Sequence, residues 1–185
     1  SGYEVERAIL VGIKPEDILI TSQELPKNLQ ELVKKGVLFN ACSLHQLESY
    51  GKLFPASKVS IRINPGLGSG HSNRTNVGGP SSSFGIWHEY IDEINRIAEQ
   101  YRLTIVRLHT HIGSGSDPEV WTKVAAMSLD QVKKFPDVST IDLGGGFKVA
   151  RMQDEVGTNL KTIAPVISKA LEKFYKETGR KLHLE

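Results

Sequence analysis

Two hydrophobic patterns alternate along this chain, and their alternation restricts the fold more than any other feature. Short runs rich in branched apolar residues predict strands at 17–21, 37–41, 58–64, 103–111, 140–143 and 181–185. Apolar residues at helical spacing, with polar caps and glycine stops, predict helices at 3–11, 28–35, 43–50, 87–101, from Pro118 onward, and at 159–178. Alternating strands and helices are typical of βα units, which place their strands in a parallel sheet.

The two faces of the strands favour one of two architectures. A doubly wound sheet is covered by helices on both sides, so its strands are apolar throughout, whereas the inner face of a barrel carries polar residues near the ligand. One face of the strand at 103–111 carries Ile105, Arg107, His109 and His111. Polar residues also alternate with apolar ones at 60–64 and 182–185. We therefore expect an α/β fold, an incomplete (β/α)8 TIM barrel of about six βα units forming a single domain over 1–185, since complete barrels need ~250 residues.

Composition excludes several classes of function. The chain has 23 Lys and Arg against 21 Asp and Glu, a net charge of +2, and no basic run interleaved with aromatics, so we expect no nucleic-acid partner. No apolar run reaches the ~18 residues that span a bilayer, so we expect no membrane partner. The single cysteine, Cys42, cannot form an internal disulfide, which favours a reducing, cytoplasmic location. The start on Ser1 and the end after a strand suggest a piece of a longer protein.

Three polar features at strand ends suggest a ligand site, and each has an alternative reading. The glycines of "DLGGGF", 142–147, could expose backbone N–H groups to a phosphate or form a plain βα turn. His109 and His111 could bind metal, act as satisfied polar groups, or stack on a flat ligand; without an HExxH or Cys/His cluster we expect no metal. Glu185 could pair with Arg62 or Arg107, or with a protonated ring nitrogen.

Four motifs carry a family resemblance. "RINPGLGSGHSNRTNVGG" at 62–79, "SSFGIW" at 82–87, "HTHIGSG" at 109–115 and "LGGG" at 143–146 follow one another in this order. Together they resemble the diaminopimelate decarboxylase branch of the alanine-racemase-like, fold-type III decarboxylases, which depend on pyridoxal 5'-phosphate (PLP). The opening "SGYEVERAILVGI" is similar to the "SxGE" segment of that family. The resemblance covers nearly the whole chain.

The resemblance implies roles for particular residues. His111 matches the histidine that stacks on the PLP ring, and Ser114 matches a serine at the cofactor. The glycines that match the phosphate-binding turn are Gly144, Gly145 and Gly146. Glu185 matches the glutamate that keeps the pyridine nitrogen protonated. Arg62 matches an arginine inside the barrel, Glu4 a glutamate at the rim, and His109 is expected to lie behind the ligand.

The implied reaction is decarboxylation of meso-diaminopimelate to L-lysine, a step of lysine biosynthesis, in a full-length homodimer. In the family, the lysine that carries PLP precedes the "SxGE" segment, and a C-terminal β-domain supplies a catalytic cysteine across the dimer. Neither matches this chain, and Cys42 is not that cysteine. Ser83 stands where many relatives have lysine, so contacts there are expected to differ. We therefore expect the parent protein to be the enzyme and this chain alone to be inactive.

Other functions fit the same sequence. Within the family, arginine, ornithine or carboxynorspermidine decarboxylation is possible, because the residues that select the substrate lie mostly in other segments. A non-catalytic barrel homologue that acts by binding a protein would also lack the lysine. A barrel enzyme acting on phosphorylated sugars would share the glycine turn and have no affinity for PLP.

Overall fold

The computed structural model describes residues 1–66, 82–113 and 118–185. Its helices are α1 (Gly2–Leu10), α2 (Leu29–Lys34), α3 (Leu44–Leu53), α4 (Ile91–Tyr101), α5 (Pro118–Val132) and α6 (Leu160–Thr178). Its strands are β1 (Leu19–Ile20), β2 (Leu38–Ala41), β3 (Lys58–Asn64), β4 (Ile86–Trp87), β5 (Thr104–Thr110), β6 (Thr140–Asp142) and β7 (His183–Leu184). A 3₁₀ turn, Pro15–Asp17, precedes β1 where the sequence predicted the start of the strand.

The described strands form one curled sheet in which every pair is parallel. Its order is β1-β2-β3-β5-β6-β7, and the two residues of β4 pair with the C-terminal end of β3. Helices connect successive strands of this path, as βα units require. The architecture is a curled parallel half-barrel, so the predicted incomplete (β/α)8 barrel is confirmed.

The outer face of the sheet forms the hydrophobic core with the helices. Ile61, Leu108 and Ile141 lie side by side on three adjacent strands and are at most 1% exposed. Burying each such side chain stabilises the fold by about 1.5–3 kcal/mol. Among the helices, α5 contributes Trp121 and α6 contributes Phe174 to the same core. Packing of the outer face against the helices holds the strands in place, so the inner face is not needed for the hydrophobic core.

A β-bulge corrects one predicted face. Val59 pairs with Ile105 but Ser60 pairs with Arg107, so Val106 is an extra residue on β5. The bulge reverses the alternation at that point, and Ile105 joins Val59 on the outer face. The prediction that Ile105 shares a face with Arg107 was therefore wrong, while Arg107 and His109 do lie on the inner face with Ser60 and Arg62.

Gly51 does not end its helix as predicted. Helix α3 continues through this residue to Leu53. A Cβ atom at position 51 would lie 2.6 Å from the Tyr101 ring of α4, so the glycine permits close packing of two helices. Glycine has a packing role here that sequence pattern alone does not separate from a stop signal.

Helix α4 begins later than predicted. Trp87 pairs with Asn64 in the sheet, and the helix starts only at Ile91. Tyr90, just before the helix, is 47% exposed, whereas Ile94 and Ile97 within it are buried. Within the described ranges, the helices lack the combination of length and apolar character that crossing a bilayer requires.

Candidate functional site

Polar side chains from four strands meet at the edge of the sheet where the strands end. In the ladder, Arg62 on β3 lies opposite His109 on β5, and His109 lies opposite Asp142 on β6. Glu185 follows β7 on the same inner face. Because parallel strands share their direction, their C-terminal ends place these groups along one rim, where barrels bind ligands.

His109 is a buried, neutral group at the centre of this set. Its Nδ1 atom lies 2.9 Å from Asn40 Nδ2, which also donates to Thr21 Oγ1 at 3.2 Å. Its Nε2 atom lies 3.9 Å from Asp142 Oδ2. Burial, and then the charge of Arg62, lower the pKa of His109 to about 3. The ring therefore carries no charge at neutral pH.

Asp142 anchors the glycine turn that follows β6. Its Oδ1 atom accepts a hydrogen bond from the backbone N–H of Gly144 at 2.7 Å. Burial raises the pKa of Asp142, and the charge of Glu185 acts in the same direction. The carboxylate thus ties the inner face of the sheet to the turn.

Position 144 of the turn requires glycine for two reasons. Gly144 has a φ of +70°, in the left-handed region. A Cβ atom there would lie 2.5 Å from His111 Nδ1 and 2.9 Å from the carbonyl oxygen of Thr110. Gly145, in contrast, has no atom of the described residues within 4 Å of the position its Cβ would take. The turn is therefore packed against β5 on one side and open on the other.

His111 lies immediately beyond β5 and is half-buried. Its ring centroid is 6.4 Å from that of His109. Burial and the nearby Arg62 lower the pKa of His111, which keeps its ring neutral at pH 7. A neutral imidazole next to an open glycine turn offers a flat surface to an aromatic ligand.

Arg62 is a buried cation without a carboxylate partner among the described residues. It is 8% exposed, and its guanidinium carbon lies 5.2 Å from the centre of the Phe84 ring. Burial lowers the pKa of Arg62, and Cys42 lies beside it. Burial also raises the pKa of the Cys42 thiol, so this cysteine stays protonated. The charge of Asp142 favours the charged guanidinium, but no carboxylate of the described residues lies within ion-pair distance of it, and such a buried cation favours an anionic ligand.

Glu185 pairs with Arg107, one of its two predicted partners. Arg107 Nη2 donates to Glu185 Oε1 at 2.8 Å, and Arg107 Nη1 donates to Ser60 Oγ at 3.4 Å. His183 Nε2 is 4.0 Å from the same Oε1 atom. Within the described part of the chain, these contacts all engage Oε1, so Oε2 stays available to a ligand.

Two other predicted site residues, Glu4 and Ser83, are not brought into this cluster. The side chain of Glu4 is exposed and accepts hydrogen bonds from the hydroxyl and the amino group of Ser1, which lower its pKa. Ser83 is exposed in the loop that places Phe84 over Arg62. Ser114, predicted at the cofactor, lies outside the described residues, as does most of the motif at 62–79.

Sequence reasoning missed Asn40, Phe84 and Asp142. Asp142 had a local signal, because it directly precedes the glycines and could reach the N–H two residues on. Asn40 had only a weak one, as a polar residue in a buried strand. Phe84 lies within the motif "SSFGIW", but the motif did not indicate that its ring would lie over Arg62. Across the described residues, no cluster of three histidine, cysteine or acidic side chains is arranged to hold a metal ion.

Two buried atoms on the inner face, Asn40 Oδ1 and Arg107 Nε, have no hydrogen-bond partner among the described residues. Buried polar atoms normally have one, which marks this face as built for polar contacts. With the open turn, the flat His111 and the buried, positively charged Arg62, the rim can hold a flat, anionic ligand.

Comparison with known proteins shows to which family the chain belongs. The family described as "Pyridoxal-dependent decarboxylase, pyridoxal binding domain" matches residues 1–185. Diaminopimelate decarboxylase of Streptomyces coelicolor is 34% identical over 188 residues, which cover 98% of this chain and 43% of that protein. The chain therefore spans less than half the length of this relative.

Solved structures agree with the family match. A crystal structure of diaminopimelate decarboxylase superposes with a TM-score of 0.89 at 32% identity, covering 98% of this chain and 45% of that one. A variant of the enzyme from Helicobacter pylori, complexed with L-lysine, gives 0.85 at 25% identity, covering 98% and 47%. The resemblance stated from the motifs, and the expected PLP cofactor of the family, are confirmed.

Proposed function

Because the chain belongs to the pyridoxal-dependent decarboxylase family and matches its pyridoxal-binding domain throughout, we propose that its inner face holds PLP. We further propose that the whole protein is a carboxy-lyase that converts meso-diaminopimelate to L-lysine and CO2. The names of the relatives support this substrate. The observation that carries the proposal is the convergence of the open turn at 144–146, His111 and Glu185 at one edge of the sheet.

The residues of the rim fit the cofactor. The open side of the turn at Gly145 leaves space for a phosphate, and Arg62 supplies a buried positive charge without a carboxylate partner among the described residues. When bound, PLP supplies an electron-accepting ring that takes up the electron pair released as a carboxylate leaves an amino acid as CO2. His111 offers the ring a neutral, flat surface.

Glu185 has the position and the free atom to hold a proton on a ring nitrogen. Arg107 binds Oε1 and leaves Oε2 without a partner among the described residues. An oriented carboxylate accepts a hydrogen bond from a protonated nitrogen and favours the charged form of that nitrogen. Arg107 thereby orients the acceptor, while Glu185 keeps the proton in place.

Other parts of the proposal concern the whole protein. A lysine from another segment would carry the cofactor, as the family resemblance implies; in this chain Lys27 and Lys34 are exposed, and Lys148 follows the glycine turn. Ser114 would contact the cofactor, and Glu4 and Ser83 would lie at the rim. We propose that the protein acts on a small amino acid, as a homodimer, in the cytoplasm.

The test uses the natural gene product that carries this chain. Titration with PLP should shift the cofactor's absorbance, and CO2 should be released from meso-diaminopimelate faster than from L-arginine or L-ornithine. The variant Arg62→Met should weaken PLP binding, while His45→Gln, an exposed change on α3, should leave it unchanged. A protein that binds no PLP would disprove the cofactor site. Faster release from arginine or ornithine would disprove the substrate.

A further inference from the structure

We propose that His109 is a positioning residue that, through Asp142, fixes the glycine turn at 144–146 for binding of the cofactor's phosphate. The inference rests on the cofactor site proposed above and adds a residue whose role was left open by the sequence. His109 acts from behind the turn: its described contacts are with other inner-face groups.

A continuous set of polar contacts leads from β1 to the turn. Thr21 accepts from Asn40, Asn40 contacts His109, and His109 Nε2 lies 3.9 Å from Asp142 Oδ2. Asp142 then accepts from the N–H of Gly144 at 2.7 Å. Asn40 on β2 and His109 on β5 are 69 residues apart in the sequence, and strand β3 lies between them in the sheet. Their contact therefore passes over the inner face of β3.

The hydrogen bonds assign the protons of the His109 ring. Asn40 donates through Nδ2, so His109 Nδ1 is the acceptor and the ring proton sits on Nε2, the atom near Asp142. The ring is neutral, since burial and the charges of Arg62, His111 and Arg107 all lower its pKa. At 3.9 Å the contact is therefore an electrostatic one between an N–H dipole and a carboxylate.

The turn transmits the position of Asp142 to the ligand. Gly144 is held on one side by Asp142 and is in contact with His111 and the backbone of β5 on the other. A shift of the carboxylate would move the N–H groups of the turn relative to a phosphate. A shift of a few tenths of an ångström matters there, because the N–H groups must converge on the same oxygens.

Two similar variants separate positioning from simple packing. Asparagine at 109 places its amide near the former Nδ1 and can keep the contact with Asn40, but it has no N–H near Asp142. Glutamine places its amide near the former Nε2 and restores that donor. We expect His109→Asn to weaken PLP binding by about tenfold, the effect of losing one charged contact. The PLP affinity of His109→Gln should stay within about threefold of that of the parent protein, because this variant keeps most of the contact with Asp142.

The control ligand for PLP is pyridoxal, which has the same ring but lacks the phosphate. The experiment titrates the natural gene product and each variant with PLP and with pyridoxal, and follows the ³¹P signal of bound PLP. A positioning role predicts that His109→Asn lowers affinity for PLP alone and broadens the ³¹P signal. Equal losses for PLP and pyridoxal, or equal losses in the two variants, would overturn the inference.

A second variant covers the case in which His109→Asn fails to fold. Asp142→Ala removes the acceptor for Gly144, so it should show the same loss confined to PLP. The double variant with His109→Asn, where it folds, should lose no more than Asp142→Ala alone, since both act through one contact. If Asp142→Ala leaves PLP binding unchanged, the inference fails. If the parent protein binds neither ligand, the proposed function itself is wrong.

Discussion

The two faces of the sheet use the same strands for opposite purposes. On the outer face, Ile61, Leu108 and Ile141 are buried against helices and form an apolar cluster. On the inner face, their immediate neighbours Arg62, His109 and Asp142 are buried or half-buried polar groups. The two residues of each pair are consecutive in the sequence, but their side chains lie on opposite faces of the sheet.

This contrast shows how one strand can separate stability from binding. Apolar burial on the outer face gains free energy without specifying a ligand. Burial on the inner face costs free energy, as the lowered pKa of His109 and the raised pKa of Asp142 indicate. Substitutions on the two faces should therefore have different signatures, and the following experiments examine this, from the largest expected effect to the smallest.

The outer face should control stability. Leu108→Ala, at a position with no exposed surface, should lower the free energy of unfolding by about 2–5 kcal/mol. PLP affinity of the folded protein should be unchanged, because this side chain faces the helices. Urea denaturation and PLP titration measure the two quantities. Leu184→Ala, at a residue that is 41% exposed, is the matched control and should change stability far less.

His109 should make the protein sensitive to acid. The unfolded chain takes up this proton near pH 6.5 and the folded chain near pH 3, so the unfolded state binds more protons in between. The stability that depends on the neutral ring is fully present above pH 6.5 and is lost as the pH falls toward 3. The slope contributed is at most about 1.4 kcal/mol per pH unit.

Urea denaturation from pH 7 to pH 3 measures that slope. His109→Asn should flatten it. Asp142 contributes in the opposite direction, because its raised pKa adds stability that is present at low pH and lost as the pH rises through its folded pKa. Asp142→Asn, measured in the same pH range, shows how much of the slope comes from this second group. Identical slopes in His109→Asn and the parent would contradict a neutral, buried ring.

The two neighbouring glycines of the turn should behave differently. Gly144→Ala puts a Cβ atom against His111 at a left-handed φ, and should cost about 1–3 kcal/mol of stability. Gly145→Ala meets open space and should leave stability unchanged while weakening PLP binding by crowding the phosphate. Thermal melts without and with PLP measure both effects. Equal melting temperatures for the two variants without PLP would contradict the packing of the turn against His111.

The pair formed by Arg107 and Glu185 should give the smallest effect on stability. Glu185 is partly exposed, so the coupling between Arg107→Met and Glu185→Gln should be about 1 kcal/mol. A double-mutant cycle in urea measures it. Each single variant should also change the absorbance of bound PLP, because both alter the carboxylate proposed to face the ring nitrogen. A spectrum unchanged by Glu185→Gln would remove that role.

The sequence by itself determined the fold class and the division of the strands into two faces. Both depend on local rules: side chains alternate along a strand, helices begin at caps, and βα units make parallel sheets. The motifs also predicted, through their resemblance to a family, that His111, the glycine turn and Glu185 belong to one ligand site. The ligand-binding roles of all these residues, and of Glu4, Ser83 and Ser114, stay predictions.

Only the tertiary structure decided which polar groups contact one another. Glu185 pairs with Arg107, not with Arg62, although the two residues are 78 positions apart in the sequence. Asn40 contacts His109, which is 69 positions away. The bulge at Val106 and the helical position of Gly51 arose from pairing and packing with distant segments. These contacts depend on the curvature of the sheet and on how closely the helices approach one another. Local sequence patterns do not specify the distances between residues that are far apart in the sequence.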